Sequence, residues 1–215
     1  MANNTLFGTD GVRGTAGRYP LDPPTVRRLG AALVRAHVGR SDSDSSGAPR
    51  FLVGRDTRES GAWIEAELAH GASGEGASVT SLGVVPTPAV AYLTRAHGYD
   101  AGVVISASHN PFEDNGIKVF SGSGEKFTER VERAVEAIIA DASWEASDGE
   151  PAHVPQADLV GAYLDHLRAV LPESKALAGF TLAILEAKKV LPFFRSSSNV
   201  MSGAREGSNH RRMPT

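Results

Sequence analysis

The stretch that decides the fold is Gly102–Phe127, which reads GVVISASHNPFEDNGIKVFSGSGEKF. It opens with an apolar run that ends at Ser106, and a loop of small and polar residues stiffened by Pro111 follows. A short apolar run bounded by turn residues predicts a buried strand. Ligand sites in parallel α/β sheets lie in the loops after the carboxyl ends of the strands. We therefore predict that this loop holds the functional site and exposes Ser108.

On both sides of this stretch, strand-like apolar runs alternate with helical patterns. The predicted strands are Phe51–Val53, Ser78–Leu82, Ala101–Ile105 and Ile117–Phe120. The predicted helices cover Pro23–His37, a segment from a cap at Ser60 through Leu68, a segment with a cap at Thr87 and Pro88 in first position, and a segment capped by Thr128. This alternation predicts an α/β fold, namely a layered α/β/α domain with a mainly parallel mixed sheet.

Changes in composition divide the chain into three parts. The segment 142–156 mixes Ser, Gly, Pro and acidic residues after a long helical pattern, which places a domain boundary near residue 150. We therefore predict one complete domain over 1–150 and the start of an incomplete second α/β domain over 151–184. The elements predicted in the second part are a helix with the apolar residues Leu159, Tyr163, Leu167 and Val170 on one side and a strand over Phe180–Ile184. Residues 185–215 have little apolar periodicity and few large side chains. We interpret them as a divergent tail, non-native or disordered, from a frame-shifted or truncated gene.

The composition is that of an ordinary globular protein. Hydrophobic residues make up 41% of the chain and charged residues 22%, with a formal net charge of -3 and no cysteine. The lack of cysteine excludes a disulfide framework and thiolate chemistry, and the charge balance gives no reason to expect nucleic acid as a partner. No apolar stretch is long enough to span a bilayer, and the first residues lack a signal-peptide run. The sequence therefore predicts a cytoplasmic protein without a membrane partner.

Polar groups near Ser108 are candidates for chemistry at that hydroxyl. A serine that acts as a nucleophile or phosphate carrier needs a proton-handling group and positive charge nearby. His109 is adjacent in sequence, and Lys118 lies in the next strand-like segment, from which it could reach the same loop. For an isolated Ser-His-Asn sequence, however, a turn with a capping serine is the commoner explanation.

Two further segments combine glycine with arginine. Leu6–Gly14 reads LFGTDGVRG; its glycines allow close approach of the backbone to a ligand, and Arg13 offers a guanidinium shaped for phosphate oxygens. A glycine-rich turn with Arg13 in a surface ion pair explains the same residues. Gly54–Ser60 reads GRDTRES and follows a strand, which makes it a natural anion site. An ion pair of Asp56 with an arginine, and a cap at Ser60, explain that segment equally well.

Taken together and in this order, LFGTDGVRG, GRDTRES and ISASHNPFEDNGIKVF resemble the signatures of the α-D-phosphohexomutases. The N-terminal segment resembles the phosphoglucosamine mutase branch of that family. The resemblance runs from about Leu6 to Ile184 and covers the first domain and the start of the second. It implies that Ser108 carries a phosphoryl group, donates it to a hexose or hexosamine monophosphate, and takes one back from the bisphosphate.

The resemblance also implies the roles of the neighbouring residues in an interconversion of glucosamine 6-phosphate and glucosamine 1-phosphate. Arg13 and Lys118 would supply positive charge, and Lys118 would act as general acid and base for the sugar hydroxyl. His109 and Asn110 would help to hold the loop or the phosphate. Mg²⁺ is the implied cofactor, which Ser108 would bind only through its phosphate. Because relatives in this branch are often dimers, a homodimer of a full-length form is implied as well.

After Ile184 the sequence departs from the family pattern. Family members are longer and fold as four domains, and this chain lacks their Asp-rich D-G-D-x-D-R loop for Mg²⁺, their sugar-reading loop and their second phosphate loop. We therefore expect little or no mutase activity from these 215 residues alone. A phosphomannomutase or phosphoglucomutase is one alternative, because the loop that discriminates between sugars is missing. A catalytically inactive fragment or a phosphosugar-binding module is the other.

Overall fold

The structure is a computed structural model, and it describes residues 6–38, 47–148 and 153–170. The elements in chain order are β1 (Val12–Thr15), α1 (Pro23–Val38), β2 (Arg50–Arg55), α2 (Gly61–Gly74), β3 (Ser78–Val84), α3 (Thr87–Ala96), β4 (Ala101–Ile105), β5 (Asp114–Ser121), α4 (Glu129–Ala140) and α5 (Val160–Val170). The four predicted strands and the helices between them are confirmed. The strand predicted over 180–184 and the tail 185–215 lie outside the described residues.

The five described strands form one mixed sheet in the order β1-β5-β4-β2-β3. β2 pairs in parallel with β3 and β4, whereas β5 runs antiparallel to both β4 and β1. Four of these strands therefore point the same way, which confirms the mainly parallel mixed sheet. Ile105 pairs with Ile117 and Val104 with Lys118, so Lys118 lies close to the end of β4 from which the Ser108 loop begins.

Helices cover both faces of this sheet, and the strands are apolar on both sides for that reason. α1, α2 and α4 pack over one face around a core that includes Phe51, Val103 and Ile117. α3 covers the other face. There, a Cβ at Gly54 would lie 2.6 Å from a Val90 methyl group, so the glycine allows α3 to approach the strand closely. The layered α/β/α domain predicted from the sequence is confirmed.

The local detail differs from the prediction at three places. Val12–Thr15 forms β1, an antiparallel edge strand that the sequence pattern did not predict, because its partner β5 lies about a hundred residues further along the chain. α2 extends to Gly74, and the Ser60 hydroxyl does not cap it but accepts a hydrogen bond from Asn115 Nδ2 at 2.8 Å. Thr87 is the first residue of α3 rather than its cap, since Pro86 occupies the N-cap position.

The chain after α4 returns to the sheet and then forms α5. Ser81 of β3 exchanges two backbone hydrogen bonds, of 2.8 and 2.9 Å, with the segment 155–157. α5 confirms the helix predicted after residue 158 and lies against α3, where the rings of Tyr92 and His166 stack with centroids 3.9 Å apart. Tyr163 is buried, but two other residues of the predicted apolar face of α5 are exposed. None of the helices in the described residues has the length and apolarity to cross a membrane.

Candidate active site

The loop that joins β4 to β5 presents Ser108 to solvent. Ser108 has a φ of 56°, and it is the one non-glycine residue among those described whose φ is positive. Its amide nitrogen donates a hydrogen bond to Ser106 Oγ at 3.1 Å. A residue with a Cβ atom loses roughly 1–2 kcal/mol in this left-handed conformation. Contacts from outside the loop must therefore hold Ser108 in place.

Arg58, from the segment between β2 and α2, provides the largest set of these contacts. Its guanidinium donates to the carbonyl oxygens of Ser108, Asn110, Pro111 and Asp114. The distances are 3.1 Å from Nη2 to Ser108 and 2.8 Å from Nη2 to Asn110. Nε donates to Asp56 Oδ2 at 3.1 Å, so all five N–H groups have protein acceptors. Since the side chain is also only 11% exposed, Arg58 supports the loop and has no donor left for a ligand.

Arg13 connects β1 to the same loop. Its Nη1 donates to the carbonyl oxygen of Ala107 at 3.3 Å and to Asn110 Oδ1 at 3.2 Å. These two acceptors precede and follow Ser108 in the sequence, so the structure brings the Arg13 guanidinium to the loop of the exposed serine. The Arg13 Nε is buried and has no hydrogen-bond partner among the described residues.

Asp10 links Arg13 to Lys118. Its Oδ2 lies 2.8 Å from Lys118 Nζ and also accepts a hydrogen bond from Arg13 Nη2. The hydrogen bond from Lys118, together with the charges of both cations, holds the pKa of Asp10 below its ordinary value, although partial burial acts in the opposite direction. Two cations thus share Asp10 as their counter-ion, and both keep N–H groups that can bind an anionic ligand.

Asn110 has a structural place in this arrangement. Its side-chain oxygen accepts from Arg13, as described above, and its Nδ2 donates to Asp114 Oδ2 at 3.1 Å. The other carboxylate oxygen of Asp114 accepts from Thr15 Oγ1 at 3.2 Å. Asn110 therefore ties the loop to β1 and to the start of β5, and its amide is used on both sides.

Two other candidates do not join this network. His109 is exposed, and its imidazole has no hydrogen-bond or ion-pair partner within the part of the chain that the structure describes. Arg55 of the GRDTRES segment lies elsewhere, because its Nε donates to Glu65 Oε2 at 2.8 Å. The arginines of that segment thus have structural partners, as one of the two explanations proposed. Sequence reasoning did not single out Asp10, although it lies in the quoted motif three residues before the arginine that it binds.

A magnesium ion does not fit the described residues by themselves. Among residues 6–38, 47–148 and 153–170, no three His, Cys, Asp or Glu side chains are arranged to hold a metal ion. The two carboxylates that belong to the network around the loop, Asp10 and Asp114, are engaged with Lys118, Asn110 and Thr15.

A comparison with protein families identifies the domain that contains the Ser108 loop and its network. The model of the family described as phosphoglucomutase/phosphomannomutase, alpha/beta/alpha domain I, matches residues 4–146, which is more than half of the chain. The chain belongs to the phosphoglucomutase/phosphomannomutase family. The matched range includes the whole network from Asp10 to Lys118, so the site described above lies in domain I of this family.

Individual relatives agree with this membership. The chain is 45% identical to a phosphoglucosamine mutase of Dechloromonas aromatica (strain RCB), over 83% of this chain and 40% of that protein. It is 48% identical to one of Koribacter versatilis (strain Ellin345), over 76% of this chain and 36% of that protein. A solved structure of a Thermus thermophilus protein that is assigned as a phosphomannomutase matches with a TM-score of 0.72 at 30% identity, over 92% of this chain and 44% of that chain. The chain thus spans about two fifths of the length of the curated relatives.

Proposed function

We propose that this chain supplies the phosphoserine domain of a phosphoglucosamine mutase, which interconverts glucosamine 6-phosphate and glucosamine 1-phosphate. The observation that carries the proposal is Ser108, an exposed serine with a left-handed backbone conformation. Arg13 donates hydrogen bonds to acceptors in residues that precede and follow it in the loop. The choice of glucosamine rests on the two curated relatives, which are both phosphoglucosamine mutases. The substrate partners are therefore a hexosamine monophosphate and its bisphosphate.

In the proposed reaction, phospho-Ser108 gives its phosphoryl group to the free hydroxyl of the sugar monophosphate. The bond between Ser108 Oγ and phosphorus breaks, the bond between the sugar oxygen and phosphorus forms, and the proton of the sugar hydroxyl passes through a base to Ser108 Oγ. The bisphosphate then reorients. Its other sugar oxygen–phosphorus bond breaks, a bond between phosphorus and Ser108 Oγ forms, and the proton of the Ser108 hydroxyl passes to the freed sugar oxygen, so the enzyme ends as phospho-Ser108 again.

The described residues divide this work between charge and proton transfer. Arg13 binds acceptors that precede and follow Ser108 in the sequence, and it has an Nη2 N–H group that Asp10 does not use, so it can donate to phosphate oxygens on Ser108. Lys118 donates to Asp10 and has two further N–H groups, which can bind phosphate oxygens or exchange a proton with the sugar hydroxyl. Asn110 holds the loop, and the exposed His109 side chain is available to help bind the phosphate. The Mg²⁺ cofactor, the cytoplasmic location and the homodimer stay predictions.

The test is a chimera in which residues 1–170 of this chain are joined to the remaining domains of the Dechloromonas aromatica enzyme. We expect turnover of glucosamine 6-phosphate in a coupled assay, and phosphate on Ser108 by peptide mass spectrometry. S108A should lose both. S123A, which removes the hydroxyl of an exposed serine in the turn after β5, is the matched control and should retain both.

A chimera that folds like its parent but turns over substrate equally well with Ser108→Ala would contradict the proposal. Phosphate found on another residue would show that Ser108 is not the phosphorylation site. The same assay with glucose 6-phosphate and mannose 6-phosphate tests the alternative substrates, for which the Thermus thermophilus structure is the supporting observation. A higher kcat/KM for either sugar than for glucosamine 6-phosphate would replace the substrate assignment while leaving the role of Ser108 intact.

A further inference from the structure

Arg58 has a set of contacts that ion pairing alone does not explain. Its guanidinium lies against Asp56, yet four of its five N–H groups are directed at main-chain carbonyl oxygens of a single loop, between residues 108 and 114. The acceptors begin with the carbonyl oxygen of Ser108 itself and follow the loop to the start of β5. Arg58 thus recognises the path of the loop backbone rather than the identity of its side chains.

These contacts have an electrostatic consequence for the face of the loop that Ser108 presents. Carbonyl oxygens carry partial negative charge, and a phosphate group on the serine would be repelled by any that point towards it. Arg58 binds four of them, so they are turned towards its nearly buried guanidinium. Donors for the phosphate remain on Arg13 and Lys118, which Asp10 joins to each other.

We propose that Arg58 is a positioning residue for the phosphate on Ser108, which acts through the loop carbonyl groups and without touching the phosphate itself. It holds Ser108 in its left-handed conformation, keeps carbonyl oxygens away from the phosphate and leaves the serine facing Arg13 and Lys118. The inference rests on the proposed function only in that Ser108 carries the phosphate.

The experiment installs phosphoserine at position 108 of the full chain by suppression of an amber codon and follows the phosphorus resonance by ³¹P NMR as a function of pH. The second pKa of free phosphoserine is about 6. Because cations and hydrogen-bond donors favour the dianion, we expect a lower value for the wild-type protein. R58M should raise that value by roughly 0.5 to 1 towards free phosphoserine, because the loop no longer holds the phosphate against its donors.

The matched control is R50M, which removes the same charge at the other end of β2. Arg50 is exposed and donates to the carbonyl oxygen of Gly98. It lies at the far end of the strand, roughly 17 Å along β2 from the Ser108 side, and salt screens charges beyond about 8 Å. R50M should therefore leave the titration unchanged. An equal shift in R50M and R58M would show a general charge effect and would overturn the proposal.

A second variant keeps the test decisive if R58M does not fold. R58K retains the charge but offers three donors instead of a planar fork with five, so it cannot bind the four carbonyl oxygens and Asp56 together. We expect R58K to raise the phosphate pKa by an intermediate amount. A wild-type titration in R58K, or in a folded R58M, would show that Arg58 is only structural. If the phosphate on Ser108 of the otherwise wild-type protein titrates like free phosphoserine, the inference is equally overturned, because the loop would not hold the phosphate against Arg13 and Lys118.

This outcome is separate from that of the proposed function. The ribosome installs the phosphate, so the titration does not depend on transfer from a sugar bisphosphate. A chimera without turnover would refute the mutase assignment and leave the Arg58 result standing. Full turnover together with an unshifted R58M titration would refute only the role of Arg58.

Discussion

At the crossing of α1 and α2, we predict that Gly71→Ala lowers the stability of the protein, although alanine has a higher helix propensity than glycine. A Cβ at Gly71 would lie 1.8 Å from the carbonyl oxygen of Arg27 and 3.0 Å from the nitrogen of Ala31. On α1, a Cβ at Gly30 would meet the carbonyl oxygen of Leu68 at 2.1 Å. These backbone atoms cannot rotate away, so Gly71→Ala forces the two helices apart.

The magnitude follows from that overlap. Relief of the contact needs a separation of roughly 1 Å, which forfeits about a quarter to a half of the dispersion energy of the atoms that lose contact. Overpacking of this kind costs about 1–3 kcal/mol or more, and the better helix propensity of alanine returns about 1 kcal/mol. Because the overlapping atoms belong to the backbone, the overpacking cost lies in the upper part of that range, at about 2–3 kcal/mol. We therefore expect a net loss of about 1–2 kcal/mol, which lowers the Tm of a chain of this size by roughly 2–8 °C.

The assay is thermal unfolding followed by circular dichroism, with Gly161→Ala as the matched control. Gly161 lies in α5 and is exposed, and a Cβ there would meet no atom within 4 Å. The same substitution should therefore leave the Tm unchanged or raise it by about 1–3 °C. A Gly71→Ala protein as stable as the wild type would refute the reasoning, because it would mean that the helices are not in backbone contact. A similar loss in both variants would show that the effect is not specific to the crossing.

Two further predictions concern the site and its support. Asp10 has a lowered pKa when folded, with the hydrogen bond from Lys118 as the main cause, so its stabilisation is complete above the ordinary value of about 3.9 and is lost as the pH falls through the folded value. D10N should lower the free energy of unfolding by roughly 0.2–1 kcal/mol at pH 6, since the carboxylate is half exposed; a gap to the wild type in urea unfolding that does not shrink towards pH 2 would contradict this. Asn115 is fully buried, with its Nδ2 donating to Ser60 Oγ and its Oδ1 accepting from the amide of Gly116, both at 2.8 Å. N115L leaves that amide without its acceptor and should cost about 1–3 kcal/mol in the same measurement, whereas an unchanged midpoint would mean that water replaces the side chain.

The predictions that succeeded concern patterns within one segment. The strand Ala101–Ile105 is visible as an apolar run because both faces of a central parallel strand are buried. The exposed loop after it follows from its small and polar residues together with Pro111. The helix over residues 23–38 is visible because its apolar residues recur with the helical period. Each of these signals is written in neighbouring residues.

The predictions that failed concern partners far apart in sequence. Ser60 has the residue type and position of a helix cap, but its hydroxyl accepts a hydrogen bond from Asn115, which lies 55 residues further along the chain. β1 is a strand because β5 offers it an edge, and its four residues, which include a glycine, carry little strand signal of their own. In the same way, the sequence left both explanations of the GRDTRES segment open, and only the folded chain shows where each arginine lies.

The sequence by itself determined the α/β/α domain, the family resemblance and the position of Ser108 on an exposed loop, because periodicity and turn chemistry act between residues close in the chain. Only the tertiary structure decided that Arg58 binds the carbonyl oxygens of the loop, that Asp10 joins Arg13 to Lys118 and that His109 stays outside this network. The physical reason is that a guanidinium or carboxylate can satisfy its hydrogen bonds in many ways. Which acceptor it takes depends on the backbone that the fold brings beside it.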